Sequence, residues 1–177
     1  MKLIGDLLKL VYESMLLTGL PKRRLDYLRR QGINIGENCD INTLKFSTEP
    51  YLIEIGDQVT IASGTQFITH DGSIVCFQHE LKGEIFGKIK IGNNVFIGSD
   101  CLIMLNTTIG DNSIVGAGSV VRGNFPENSV IIGNPARVIL NINIQKMLFI
   151  HNQGFVAAKK RSKAEKENQV KKQFGIK

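Results

Sequence analysis

Aliphatic residues recur every six positions along much of this chain. Ile91, Ile97, Ile103, Ile109, Val115 and Val121 keep the step without a break, Ile55, Ile61 and Phe67 keep it upstream, and Ile35 and Ile41 show it once more. The residue after the aliphatic is small in most hexads: Gly56, Ala62, Gly92, Gly98, Gly110, Gly116. The fourth after it is often small or β-branched: Val59, Thr65, Val95, Cys101, Thr107, Ser113, Ser119. Asp and Asn cluster between, as Asp57, Asn93–Asn94 and Asp111–Asn112. A period of six suits neither an amphipathic helix nor a coiled coil, and six consecutive matches with this Gly/Asn placement argue against an alternating β-sandwich. It suits a short extended segment followed by a sharp turn, three of which close one triangular coil. The aliphatic points inward, and the corners need backbone conformations that Gly and Asn tolerate best. One coil cannot bury its inward face alone, so several must stack. The pattern therefore predicts a mainly β chain, a parallel β-helix over residues 32–140. It lapses at 71–88, where Gly72, Gly83 and Gly87 appear; that stretch reads as a loop thrown out from the coils, and long loops in compact domains are often functional.

The flanks read differently. Residues 1–31 form an N-terminal helix and connector. Over 2–17, Lys2, Asp6, Lys9 and Glu13 share one face and Leu3, Leu7, Leu10 and Val11 the opposite one, an amphipathic helix that Pro21 ends or turns. Its apolar face can pack on the coils or on a partner subunit. Alternatively, with Arg23, Arg24, Arg29 and Arg30 nearby, residues 1–30 can lie on an anionic membrane surface. Residues 141–177 leave the repeat: Ile142, Met147, Leu148 and Phe149 are candidates to cover the end of the β-helix, and a basic tail follows.

Charge and composition narrow this picture. The net charge of +6 resides in residues 159–177, where seven Lys and Arg161 face Glu165 and Glu167, and the preceding chain is neutral. A charged tail without interleaved aromatics gives no reason to expect nucleic-acid binding. Aromatics make up 7% with no Trp, while Gly numbers 18, which suits a regular fold of repeated turns. Cys39, Cys76 and Cys101 include no CxxC pair, as expected for a cytoplasmic protein without a disulfide framework or zinc site. The N-terminus has the features of neither a signal peptide nor a membrane span.

Four stretches carry a resemblance to a known family: IGDQVTIASGTQFITHDG (55–72), KIKIGNNVFIGSDCLI (88–103), TIGDNSIVGAGSVV (108–121) and GNPARVI (133–139). With the repeat between them they cover about half the chain. The sequence resembles the hexapeptide-repeat acyltransferases, and within them the sugar O-acetyltransferases: galactoside and maltose acetyltransferases and their relatives in capsule and exopolysaccharide clusters. The resemblance implies a left-handed parallel β-helix, a homotrimer with active sites between subunits, and acetyl-CoA lying along the intersubunit groove. It also implies a sugar or saccharide hydroxyl as acceptor, with no metal required.

Acetyl transfer from a thioester to a hydroxyl needs a base for the hydroxyl proton and a donor for the tetrahedral oxyanion; imidazole suits the first task near neutral pH. The histidines are His70, His79 and His151. His70, where the loop leaves the repeat, matches the family's catalytic histidine and is assigned as general base. Asp71 and Glu49 are candidates to orient the ring or to hold sugar hydroxyls. His79 on the loop is a candidate for the acceptor pocket, although a surface histidine would read the same way. The Ser99 backbone N–H, after Gly98, matches the family's oxyanion donor. Phe96 stands where a tryptophan is often found. Gly116, Ala117 and Gly118 match positions lying along pantetheine, and the same three residues would equally serve ordinary turn geometry. The chain departs from the family after Val121, where Arg122-Gly123-Asn124-Phe125-Pro126 replaces a Thr-Lys-Asp-type stretch. Arg122 could take over the nucleotide contact, while Arg137 of GNPARVI matches an arginine that approaches the adenine nucleotide in the family and Asn134 is a further cofactor-binding candidate.

Other functions of hexapeptide folds fit less well. A γ-class carbonic anhydrase needs three zinc histidines, and His70, His79 and His151 lack the spacing. Two further readings stay open: an N-acetyltransferase acting on an amino sugar or antibiotic, and a trimeric scaffold without catalysis.

Overall fold

The computed structural model describes residues 2–19, 21–156 and 162–176. It divides into two units, Met1–Ile142 and Asn143–Lys177. The first unit opens with helices α1 (Lys2–Thr18) and α2 (Pro21–Arg30) and continues into β1 (Asn34–Ile35), β2 (Asp40–Ile41), β3 (Ile53–Ile55), β4 (Thr60–Ile61) and β5 (Gln66–Phe67). A hairpin of β6 (His70–Asp71) and β7 (Ile85–Phe86) interrupts the series. The coils resume with β8 (Ile89–Ile91), β9 (Phe96–Ile97), β10 (Leu102–Ile109), β11 (Ile114–Val115), β12 (Val120–Phe125) and β13 (Ser129–Gly133), and β14 (Ala136–Asn141) closes the unit.

The strands stack in register as three faces of a prism. One face runs β1-β3-β8-β10-β12, a second runs β2-β4-β9-β11-β13, and β5 pairs with the start of β10 on the third. Ile91 aligns with Ile109, Ile97 with Val115 and Ile103 with Val121, so one full coil takes 18 residues, or three hexads. Ile55 aligns with Ile91, Ile61 with Ile97 and Phe67 with Ile103, a step of 36. The excess of 18 is the loop, pinched at its neck by the Gly87 N–H donating to the Thr69 carbonyl at 2.8 Å. The aliphatics of the repeat form the core: Ile41, Ile53, Ile61, Ile89, Ile97, Ile103, Val115 and Val121 are fully buried.

The corners explain the Asn and Gly content. Asn94, Asp100, Asn106, Asn112 and Gly118, each three residues after an inward aliphatic, hold φ between +53° and +69°. That left-handed region is accessible to Gly, Asn and Asp at little cost. Corner side chains also bridge successive coils: Asp57 Oδ1, Asn93 Oδ1 and Asp111 Oδ1 each accept a backbone N–H from the neighbouring coil at 2.8 Å.

Several expectations change at the ends. The coils stop at Gly133, and β14 returns antiparallel along β13, so residues 136–140 are a hairpin arm rather than repeat. Pro21 does not merely end the first helix; it begins α2, where its missing N–H is harmless. Leu28 of α2 enters the core, with Leu25 and Tyr27 packed against it. On the described part of the apolar face of α1, Leu10 and Val11 are 64% and 51% exposed, and Leu16 is the residue of α1 that is buried among those described. The side chains of Lys2, Leu3, Asp6, Leu7 and Lys9 lie outside the described residues. Two of the four arginines turn inward instead of facing outward as a basic patch. Arg24, 3% exposed, donates to the Leu17 carbonyl at 3.1 Å and to Asn42 Oδ1 at 2.8 Å. Arg29 donates to the Ile35 and Gly36 carbonyls. No helix among the described residues is long and apolar enough to cross a membrane.

In the second unit, the helix begun at Ile142 (α3, Ile142–Ile150) leads on to α4 (Lys163–Gln173), which Ser162 and Glu165 start with a reciprocal capping box. Met147, Leu148 and Phe149, expected to cap the coils, are more than half exposed. Lys159, Lys160, Arg161 and Lys177 of the basic tail lie outside the described residues.

Candidate active site

His70 sits at the loop neck, where the chain turns out of the third face. Its Nδ1 lies 3.1 Å from Glu49 Oε2. The pairing follows from register: Phe46 bridges Phe67, an offset of 21 residues, and the same offset sets Glu49 beside His70. The two phenyl rings stack at 4.8 Å, which fixes that alignment. Glu49 is surrounded by donors. The Thr48 hydroxyl donates to Oε1 at 2.5 Å, while Thr69 at 2.8 Å and Ser47 at 3.3 Å donate to Oε2. These hydrogen bonds, led by Thr48 and followed by Thr69 and His70, hold the Glu49 carboxyl at about 2, well below the usual carboxylate range.

An ionised carboxylate only accepts, so the proton in the Glu49–His70 contact sits on Nδ1. In the neutral ring with that tautomer, Nε2 carries the lone pair. The ring is 46% exposed while the Glu49 side chain is 15% exposed, so the carboxylate is sheltered and the imidazole accessible.

Asp71, the other candidate to orient the ring, has a different task. Its Oδ1 accepts the Ser73 N–H at 2.9 Å and caps the 3-10 turn Gly72–Phe77. The bonds from Ser73, then the charge of Arg122, lower its pKa. A cavity of about 480 Å³ opens in front of His70. Thr48, Glu49, Asp71 and Glu84 make its polar side, and Val75, Leu81, Ile85 and Phe86 of the loop make an apolar wall. His79 is exposed on the loop and is not part of that lining. His151 lies in the second unit, its Nδ1 2.8 Å from the Met147 carbonyl oxygen. Among the described residues no group of three or more His, Cys, Asp or Glu is placed to hold a metal.

The remaining predicted residues gather on another edge of the prism. The register of β4, β9 and β11 stacks Ala62-Ser63-Gly64, Gly98-Ser99-Asp100 and Gly116-Ala117-Gly118 at the corner between the second and third faces, with Asn134 following β13 on the same edge. Phe96 is 44% exposed on the strand leading to it, and Arg137 lies opposite Ile132 on β14. The glycines there have a packing reason. A Cβ on Gly98 would stand 2.5 Å from the Ala117 nitrogen, and one on Gly116 would stand 2.7 Å from Ile132. Gly118, with φ +69° and open space around it, is exposed at the corner. A groove of about 850 Å³, lined by Leu10, Leu17, Arg24, Asn42, Lys45 and Ser63, extends this edge toward the N-terminal coils. Arg122 follows Val121 on the His70 side instead.

One chain therefore carries two groups of candidate residues. His70, Glu49, Asp71 and Arg122 flank one end of the third face, and Ser99 with its glycine-rich corner flanks the other. About seven residues of extended chain separate them, roughly 20 Å. Sequence reasoning missed Ser47, Thr48 and Thr69, whose signal was present as hydroxyl residues flanking Glu49 and His70. It also missed the apolar loop wall.

A prism of hexapeptide coils with a histidine at a loop neck defines a class, and comparison with known proteins places the chain within it. Residues 88–123 match the family model for the bacterial transferase hexapeptide (six repeats). The chain is 40% identical to Protein CapG of Staphylococcus aureus over 75% of its own length and 81% of that protein. It is 42% identical to the galactoside O-acetyltransferase of Escherichia coli K12 over 63% of its length, spanning 55% of that relative. Among solved structures, a maltose O-acetyltransferase from Clostridium difficile 630 superposes with a TM-score of 0.51 at 35% identity, over 68% of this chain and 75% of that one. A galactoside acetyltransferase in complex with coenzyme A gives 0.50 at 25% identity, over 84% and 82%. The chain belongs to the hexapeptide-repeat transferase family, in the branch that holds the sugar O-acetyltransferases, and its fold is that family's left-handed parallel β-helix.

Proposed function

We propose that this protein is a CoA-dependent O-acetyltransferase that moves the acetyl group of acetyl-CoA to a hydroxyl of a sugar or saccharide, with His70 as general base. The observation that carries the reading is the Glu49–His70 pair at the loop neck. It supplies an oriented imidazole that lines a cavity large enough for a sugar.

In this reading Nε2 takes the acceptor hydroxyl proton as the oxygen bonds to the acetyl carbonyl carbon. Glu49 stabilises the imidazolium so formed, and the Ser99 N–H faces the oxyanion. Collapse breaks the carbon–sulfur bond, the thiolate leaves with the electron pair, and the proton on Nε2 passes to it. A thiol pKa near ~8.5 makes departure easy without a strong acid. A positioned base of this type contributes ~10²–10⁴-fold.

The separation of these two groups supports a homotrimer in which the His70 edge of one subunit meets the Ser99 edge of its neighbour. Gly98, Gly116, Ala117, Gly118, Asn134 and Arg137 then border the acetyl-CoA groove, and Arg122 approaches it from the His70 side. The exposed Leu8, Leu10, Val11 and Met15 of α1, beside exposed Arg23 and Arg30, support contact of residues 1–30 with an anionic membrane surface. Unchanged vesicle sedimentation after deletion of residues 1–20 would remove that contact from the reading.

The test of the activity is thiol release from acetyl-CoA across a panel of mono- and oligosaccharides, wild type beside His70→Ala. Acceptor-dependent release that the variant loses by at least ~10²-fold supports reaction and base together. Release that survives in the variant moves the base elsewhere. Absence of both release and CoA binding refutes the enzyme reading and favours a scaffold.

A further inference from the structure

Resting on the assignment of His70 as base, we propose that Thr69 is a positioning residue: its buried hydroxyl selects the His70 tautomer with a free Nε2 by clamping Glu49. Thr69 Oγ1 and His70 Nδ1, from consecutive residues, both donate to Glu49 Oε2, at 2.8 and 3.1 Å. Ser47 adds a third donor to that oxygen and Thr48 supplies Oε1. Oε2 thus takes three donors and Oε1 one, on a carboxylate with about four acceptor sites.

These donors are not equivalent. Thr48 is exposed and Ser47 half-buried, so water can replace either hydroxyl. Thr69 is fully buried, and its carbonyl is tied to the Gly87 N–H at the loop neck. Water does not reach its side chain, and the bond at the loop neck holds its backbone. The clamp matters because His70 Nδ1 has a second neighbour, Ser47 Oγ at 3.2 Å. With Glu49 held, the Ser47 hydroxyl donates to the carboxylate and Nδ1 keeps its proton. With Glu49 released, Ser47 can donate to Nδ1 instead. That arrangement puts the imidazole proton on Nε2, where the ring can no longer accept from the substrate hydroxyl.

Two variants of the full chain separate the hydroxyl from the shape. Thr69→Val removes the donor and keeps the branching; Thr69→Ser keeps the donor. Each is checked for its melting transition and then measured for kcat, KM for acetyl-CoA, and the imidazole ¹⁵N spectrum of His70. Thr69→Val is expected to lower kcat on the order of 10- to 100-fold, with KM for acetyl-CoA within about twofold of wild type. Its ¹⁵N pattern should shift from the Nδ1–H tautomer toward Nε2–H, and Thr69→Ser should restore both readings. A folded Thr69→Val protein with an unchanged tautomer overturns the proposal, whatever its rate. So does a loss of rate that Thr69→Ser shares. The spectrum needs no acceptor, and a fully active His70→Ala would refute the base assignment separately.

Discussion

Replacing Gly98 by alanine should damage the protein twice, in stability and in catalysis. The new Cβ would lie 2.5 Å from the Ala117 nitrogen, 2.8 Å from its Cα and 3.1 Å from the Gly116 carbonyl carbon, all backbone atoms of the next coil. Ordinary contact needs about 3.4 Å, so the coils must part locally by about 0.9 Å in a close-packed stack. The Gly98 N–H donates to the Val115 carbonyl at 2.9 Å across the same gap, and that separation carries it beyond hydrogen-bonding range. Overpacking of this kind costs about 1–3 kcal/mol and the bond about 1 kcal/mol more, giving roughly 2–4 kcal/mol. For a chain of this length the melting temperature should fall by roughly 5–15 °C. Gly118→Ala is the control: its Cβ meets nothing within 4 Å, and only the φ of +69° penalises it. That strain is about 1–2 kcal/mol, so the drop should be visibly smaller. The Ser99 amide follows Gly98 directly, so at a temperature where both variants are folded, Gly98→Ala should also slow acetyl transfer by up to ~10²-fold. Thermal unfolding by circular dichroism, followed by the thiol-release assay, reads both effects. A Gly98→Ala protein that melts with wild type would refute the close approach of the coils, and with it the placement of Ser99.

Two further outcomes follow from other parts of the structure. Glu49, held at about 2 against an ordinary value of 4.5, contributes stability that is fully present above pH 4.5 and is lost as pH falls toward 2. Glu49→Gln should therefore flatten the acid side of the melting-temperature profile in that window and slow catalysis at neutral pH; an unchanged profile would place the donors elsewhere. Arg24→Ala removes a buried guanidinium bonded to the Leu17 carbonyl and Asn42, and should cost about 2–4 kcal/mol. Arg24→Met keeps the stem packing and should recover part of that loss in a denaturation titration.

The prism was legible because its physical demand repeats. Each hexad needs one inward aliphatic and one corner that tolerates positive φ, so Ile97 and Asp100 are readable from their own neighbours, and every coil restates the rule. The loop was legible as an interruption, with its neck placed within two residues. The ends were not. The exposure of Leu10 and the inward turn of Arg24 depend on which surfaces the coils leave for two helices, and an amphipathic pattern is silent on that.

The site divides along the same line. The chain by itself determined the coil, the residue types a hexapeptide transferase needs, and His70 at the point where the repeat breaks, since these are local or periodic features. Only the tertiary structure decided that Glu49, and not the adjacent Asp71, holds the ring. That choice rests on a 21-residue register across a first coil whose pattern lapses between Thr43 and Leu52, where the sequence offers no period to count. The stacked Phe46 and Phe67 set that register, and Asp71 turns away to cap the loop. The placement of His70 and Ser99 on different edges likewise comes from closing three strands into a prism, which sends neighbouring corners in different directions.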